Sequence, residues 1–332
     1  MTSVLQPNRA ALDSIVVQAI GIDIGGTKIA GALVDDDGRV LRSERRPTPA
    51  ADPDAIVAHA VEIVRSLAGE GGIPPVGVVV PGFLDAQRER VYYAPNISFR
   101  DVPLRALLAE GLPGASIVID NDANAAGWAE FRFGVGRGVS DMVLLTIGTG
   151  VGGAIVADGR LLRGGFGVAG EIGHASLVPD GLACGCGQHG CIEQYGSGRA
   201  LLRFAGEIAD AGGVGLQLAA ARRADGALDA TNVGRLIAEG DPGALAALGQ
   251  LGGWLGRACA SLGAVLDPRV FAFGGGVAAA GELLLEPIRE AFHAHVPARG
   301  FHPEPDFRIA ELVNDAGVVG AADLARARFA VG

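Results

Sequence analysis

Residues 19–38 read AIGIDIGGTKIAGALVDDDG, and residues 142–159 read MVLLTIGTGVGGAIVADG. Both run apolar strand, glycine turn, apolar strand, Asp-Gly turn, and both continue into a third strand, RVLRSERR (39–46) in one case and RLL (160–162) in the other. Asp-Gly suits a hairpin because it tolerates the positive φ that such turns need. The tetrapeptide Gly31-Ala32-Leu33-Val34 matches Gly153-Ala154-Ile155-Val156 almost residue for residue. A single match could be chance, but recurrence of the whole order indicates a duplicated fold of two related α/β lobes.

Outward from these hairpins the pattern alternates. Residues 53–72 have helical periodicity and end in glycine, VGVVVPG (76–82) and SIVIDN (116–121) are buried strands, and DANAAGWAEFRFG (122–134) is a helix. After the second hairpin come a cysteine-rich loop (184–191), several helices, a strand RVFAFGGG (269–276) with a helix behind it, and a last helix after Asn314. Residues 1–18 are expected to form a short, poorly structured tail. The expected division is a small lobe at 19–120, with the C-terminal helix 315–332 packing back on it, and a large lobe at 121–314 that carries the cysteine loop within 174–193.

The totals limit the function. The chain has 332 residues, 49% of them hydrophobic, enough for a large core and more than one domain. A formal net charge of −10 argues against a general nucleic-acid or anionic-membrane surface. No run of about 20 apolar residues is present to span a bilayer. The opening MTSVLQPNRAALDSIVVQAIG lacks the order of a secretory signal, so a cytoplasmic location is expected. Lys28 is the single lysine among 27 basic side chains, a hint that its position needs an ammonium group.

The first glycine turn, Asp23-Ile24-Gly25-Gly26-Thr27-Lys28, lets backbone N–H groups approach an anion, with Thr27 and Lys28 as further donors and Asp23 placed to hold a hydrated Mg²⁺. It is no Walker A loop, since Thr27 stands where that motif has lysine. A hairpin that merely needs glycine is the alternative. The second turn, Gly148-Thr149-Gly150-Val151-Gly152-Gly153, satisfies G-x-G-x-x-G, but it leads into a strand where a dinucleotide fingerprint must open a helix. A second phosphate loop fits better. Gly274-Gly275-Gly276 could let an adenosine lie against the backbone, or could be a tight strand-to-helix turn.

Asn121-Asp122 follows a buried strand and opens a helix. Both residues could simply be caps. In the functional reading Asp122 is a general base, kept ionised by the helix N-terminus. His174, Cys184, Cys186 and Cys191 lie within 18 residues, amid glycines that permit tight wrapping. Thiolates and an imidazole in a set of four indicate structural Zn²⁺, because a disulfide would leave one of three cysteines unpaired. His189 is an alternative ligand, and Cys259 reads as a core residue. Glu171 and Glu193 flank the cluster, where carboxylates could accept hydrogen bonds from vicinal hydroxyls or could be ordinary surface charges.

These residues together resemble the ROK family of sugar kinases and repressors, and within it the bacterial ATP-dependent glucokinases. Asp23–Lys28 and Leu145–Gly153 are similar to its two phosphate loops, and Gly170–His174 followed by Cys184–Glu193 to its zinc and sugar signature. Asn314-Asp315-Ala316-Gly317 with Gly320-Ala321-Ala322 resembles the ending of its glucokinases. The resemblance implies a two-lobed actin-like ATPase (ribonuclease H-like) fold with the active site in the cleft. It implies Asp122 as catalytic base, Gly82, Asn121, Glu171, His174 and Glu193 at the sugar, Mg²⁺ with ATP, and a homodimer or homotetramer. The expected reaction is transfer of the γ-phosphoryl of ATP to a hexose 6-hydroxyl, glucose foremost. Fructose, mannose or an N-acylhexosamine is the alternative, and a non-catalytic sugar sensor is less expected because base and loops are all present. The 18 residues before the first strand are too few for the helix-turn-helix of the family's repressors.

Overall fold

The computed structural model describes residues 18–329, so the expected tail lies outside the described residues apart from Gln18. The first lobe is a five-stranded sheet built from β1 (Ala19–Ile24), β2 (Lys28–Val34), β3 (Val40–Pro47), β4 (Val76–Val80) and, after a side sheet, β8 (Ile117–Asn121). The side sheet is β5 (Phe83–Leu84), β6 (Val91–Tyr93) and β7 (Arg100–Val102). The second lobe is a sheet of β9 (Met142–Ile147), β10 (Val151–Ala157), β11 (Arg160–Leu161), β12 (Val270–Gly274) and β13 (Asp306–Ile309).

The two large sheets have the same order, β3-β2-β1-β4-β8 and β11-β10-β9-β12-β13. In each, the first three strands pair antiparallel and the last two run parallel to the first of the hairpin. Each hairpin folds locally, and the parallel strands reach it through helical crossovers. The repeat read from the sequence is therefore a repeat of topology, the architecture of an actin-like ATPase.

Alternation along each strand assigns its faces. In β1, Ile20, Ile22 and Ile24 enter the core of the first lobe with Val76, Val78 and Val80 of β4 and with Ile56, Ala60, Ile63 and Val64 of α1 (Pro53–Ala68). In the second lobe Val143, Leu145, Ile147, Phe271 and Phe273 face a helical layer. After α2 (Leu104–Gly111) and α3 (Asp122–Phe133), that layer comprises α4 (Glu193–Gly196), α5 (Gly198–Ala211), α6 (Leu216–Asp225), α7 (Ala230–Ala238), α8 (Pro242–Leu266) and α9 (Glu282–His295). The chain ends in α10 (Ala316–Phe329).

Between the sheets lie α3 and α10. A Cβ at Gly21 would overlap the Val318 carbonyl, one at Gly77 the Ala321 carbonyl, and one at Gly320 the Ala125 carbonyl. Glycine at these positions lets helix and sheet backbones touch. The other face of α3 packs Gly127 on Ala154 of β10. Helix α3 thus bridges the lobes, and its first residue is Asp122.

Candidate active site

Chain geometry sets Asp122 at the first position of α3. Strand β8 ends at Asn121, whose side-chain oxygen caps α3 by accepting the Asn124 N–H at 3.0 Å. Its Nδ2 donates to the Gly82 carbonyl at 3.1 Å, which leaves one amide hydrogen for a ligand. Gly82 sits at φ +119, and a Cβ there would overlap the Tyr93 carbonyl. Only glycine turns the chain so tightly out of β4. Asn121 is therefore a helix cap that also lines the crevice, as does Asp122, whose carboxylate accepts the Ala123 N–H at 2.8 Å.

A crevice of about 120 Å³ is lined by Gly82, Phe83, Pro95, Asn121, Asp122, Ala123, Gly152, Gly153, Glu171 and His174. It joins the ends of β4 and β8 to the hairpin and loop of the second lobe. Burial pushes the Asp122 carboxyl above its usual range, and the Ala123 N–H opposes this. Burial also raises Glu171; His174 lowers it, and the charges of Asp122 and Glu193 raise it further. Acceptors crowded together without a lysine or arginine in the wall suit a ligand rich in O–H donors.

Glu193 lies beside the crevice and is not among its lining residues. One carboxylate oxygen accepts the Val151 N–H at 3.1 Å, and the other accepts from Arg199 at 2.9 Å. A Cβ on Gly150 would overlap that carboxylate, so Gly150 is the residue that lets the second hairpin close on Glu193. The sequence placed Glu193 in the pocket; the structure places it at the junction of pocket and hairpin.

The two glycine hairpins are tight. Gly25 N–H meets the Lys28 carbonyl at 3.0 Å, Thr48 Oγ1 holds the Gly25 carbonyl at 2.7 Å, and Gly148 N–H meets the Gly150 carbonyl at 3.0 Å. Thr27 and Lys28 are exposed at the first turn. Asp23 shares the face of Gly21 and rests against Gly317 at the start of α10. Burial, then the Asp122 charge, push its carboxyl up to about 7 against the pull of Lys28, so Asp23 and Asp122 sense one another across the cleft. The Gly148 carbonyl accepts the Gly198 N–H at 2.8 Å, and Gly275, at φ +86, packs on the Ile147 backbone. Gly274–Gly276 thus adjoins the second hairpin.

His174, Cys184, Cys186 and Cys191 present four ligand atoms all within 4.8 Å of one another. A tetrahedron with metal–sulfur bonds of about 2.3 Å has sulfur–sulfur edges of about 3.8 Å. Cys186 Sγ and Cys191 Sγ stand 3.6 Å apart, and Cys184 Sγ is 3.7 Å from His174 Nδ1. These separations match the edges a bound metal would need and exceed disulfide distances, and all four cysteines are free. With Nδ1 turned to the sulfurs, Nε2 of His174 is left for the crevice. Cys259 is buried in α8, as a core residue should be. Phe83, Pro95, Ala123, Gly152 and Gly153 are crevice walls that the expected sugar residues do not include; Gly152 and Gly153 had a signal, in the glycine cluster, whereas Phe83, Pro95 and Ala123 had none.

Residues 19–328 match the ROK family. The chain is 42% identical to a glucokinase of Streptomyces coelicolor over 92% of its own length and 97% of the relative's. It is 35% identical to an N-acetylmannosamine kinase of Escherichia fergusonii, covering 92% of this chain and 98% of that one. Among solved structures, a ROK family glucokinase from Streptomyces griseus in complex with glucose and AMPPNP superimposes with a TM-score of 0.82 at 41% identity, covering 93% of this chain and 99% of that one. Duplicated topology, paired glycine hairpins and the His-Cys₃ cluster agree with that match over nearly the whole chain, and the protein belongs to the ROK family.

Proposed function

We propose that this chain is an ATP-dependent hexose kinase that converts glucose to glucose 6-phosphate. The observation that carries the reading is the convergence of Asp122, Glu171 and His174 on one crevice between the lobes, beside the second glycine hairpin. Its closeness to glucokinases, 42% identical to one and 41% identical to another whose complex with glucose and AMPPNP superimposes with a TM-score of 0.82, supports ATP and glucose as the substrate pair.

In this reading Asp122 accepts the proton of the sugar 6-hydroxyl as that oxygen bonds to the γ-phosphorus and the bond from the γ-phosphorus to the bridging oxygen breaks, leaving ADP. Burial of Asp122 strengthens it as a base, while the N-terminus of α3 favours its ionised form. Glu171, the Nε2 of His174 and the free amide hydrogen of Asn121 orient the remaining hydroxyls, with Gly82 shaping the wall. Glu193 couples the sugar pocket to the hairpin at Gly150 and Val151. The backbone N–H groups of Gly26, Thr149 and Gly150, with Thr27 and Lys28, take the phosphates, Gly25 and Gly148 close the two turns with their own N–H groups, and Gly274–Gly276 borders the adenosine. Mg²⁺ bound with the nucleotide, near Asp23, would neutralise phosphate charge. Zinc at His174, Cys184, Cys186 and Cys191 would fix the His174 tautomer so that Nε2 donates. Cytoplasmic location and a homodimer or homotetramer complete the reading by family likeness.

A coupled assay with glucose, fructose, mannose and N-acetylmannosamine against ATP and polyphosphate tests it. The expected result is the highest kcat/KM for glucose with ATP. A preference for N-acetylmannosamine would move the chain to the function of its other relatives, and no turnover with any pair would refute the kinase reading.

A further inference from the structure

Immediately before Asn121 in the chain is Asp120, which is 1% exposed. One of its oxygens accepts the Asn121 N–H at 2.8 Å and the Asn124 amide at 3.2 Å; the other accepts Arg163 Nε at 2.8 Å and Nη2 at 2.7 Å. A second guanidinium, that of Arg88, brings its Nε to 3.4 Å from the same carboxylate and is itself 6% exposed. Arg88 also donates Nη1 to the Gly167 carbonyl at 2.9 Å.

The backbone holds Arg88 in this place. Its φ is +58, an unusual conformation for a long side chain. The turn is fixed by Asp85, whose carboxylate accepts the N–H groups of Glu89 and Arg90 at 2.8 and 3.0 Å. Gly167, at φ +83, packs so closely on the Asp85–Ala86 peptide that a Cβ would lie 2.8 Å from it. A loop of the second lobe is thereby docked on a turn of the first. Burying Arg88 against Asp120 costs desolvation while Arg163 stays partly exposed, and Arg88 Nε and Nη2 and Asn124 Oδ1 have no hydrogen-bond partner among the described residues. Stability alone is a poor reason for such an arrangement.

Both arms of the tie lead along the chain to residues that line the crevice. Asp120 precedes Asn121 and Asp122 directly, and Gly167 lies four residues before Glu171. We propose that Arg88 is a positioning residue for the sugar subsite, tying the end of β8 to segment 163–171 across the lobes so that Asp122 and Glu171 face one crevice. The proposal rests on reading that crevice as the hexose site.

The test is Arg88→Gln in the full chain, with Arg88→Lys beside it. Asp120 keeps both Arg163 donors in these variants, so no buried charge is orphaned and the fold should survive. Arg88→Gln should raise the glucose KM on the order of tenfold while the ATP KM stays within about twofold, since only the sugar side loses its alignment. Amide exchange in segment 163–171 of the ligand-free protein should quicken. Arg88→Lys should behave like Arg88→Gln, because one ammonium cannot serve both the Asp120 carboxylate and the Gly167 carbonyl. Unchanged glucose KM and unchanged exchange would overturn the proposal, as would parallel rises in both KM values or full rescue by lysine. If the wild-type protein phosphorylates no hexose, the functional reading fails, and the exchange measurement, which needs no substrate, still decides whether Arg88 ties the segment.

Discussion

Replacing Asp23 by Asn should stabilise the ligand-free protein, and do so more at alkaline than at acidic pH. The Asp23 carboxyl is raised from 3.8 to about 7, by burial first and by the facing Asp122 second. A raised folded-state pKa means that the folded form binds the proton more tightly than the unfolded form. The stabilisation this gives is fully present below 3.8 and is lost as pH rises through about 7. Between about pH 5 and about pH 8 the wild type would lose about 2–3 kcal/mol by linkage, reduced to about 1–2 kcal/mol because solvent reaches the cleft and Asp122 shares the titration. Asn cannot titrate, so the Asp23→Asn protein lacks this loss. Thermal melts at the two pH values, at equal ionic strength and without nucleotide, should show the difference in Tm between variant and wild type widening by about 2–6 °C toward alkaline pH. The same variant should be nearly inactive, the usual relation between a strained site and its function. A Tm difference that stays constant, or widens toward acid, would refute the reasoning.

Three further outcomes are expected. Purified protein should carry about one zinc per chain, and Cys184→Ser should abolish it and raise the glucose KM more than the ATP KM, since His174 loses its orientation; metal analysis and kinetics check both. Gly77→Ala should destabilise by about 1–3 kcal/mol in chemical denaturation, because the new methyl meets the Ala321 carbonyl and α10 must shift. The log of kcat/KM for glucose should rise with pH through a carboxyl titration displaced upward from the ordinary range, since burial favours the protonated form of Asp122; a flat profile from mildly acid pH upward would contradict this.

Much of this arrangement was legible in residue types with strict local demands. The glycine hairpins declared themselves because a strand–glycine–strand–Asp-Gly order is short-range, and the sheet order follows once two copies are paired. The His-Cys₃ cluster was legible because cysteine and histidine are scarce and closely spaced here. The side sheet of β5, β6 and β7 was not, since strands of two or three residues carry no usable periodicity. Nor was Glu193's hold on Val151, which depends on how two distant segments meet. Nothing in the sequence singles out Arg88 and Asp120; only the fold buries them. The sandwiching of α3 and α10 between the sheets was equally hidden, because Gly21, Gly77 and Gly320 acquire their role from backbones far away in the chain.

The placement of Asp122 at the tip of α3, beside a pocket of hydroxyl acceptors and between two phosphate hairpins, is the claim on which the functional account stands. The most direct measurement is kcat of Asp122→Asn with saturating glucose and ATP, alongside calorimetric glucose affinity of the same protein. A general base in this position predicts a fall of roughly two to four orders of magnitude in kcat with glucose affinity kept within a few-fold. Turnover within about tenfold of wild type, in a variant that still binds glucose, would contradict it.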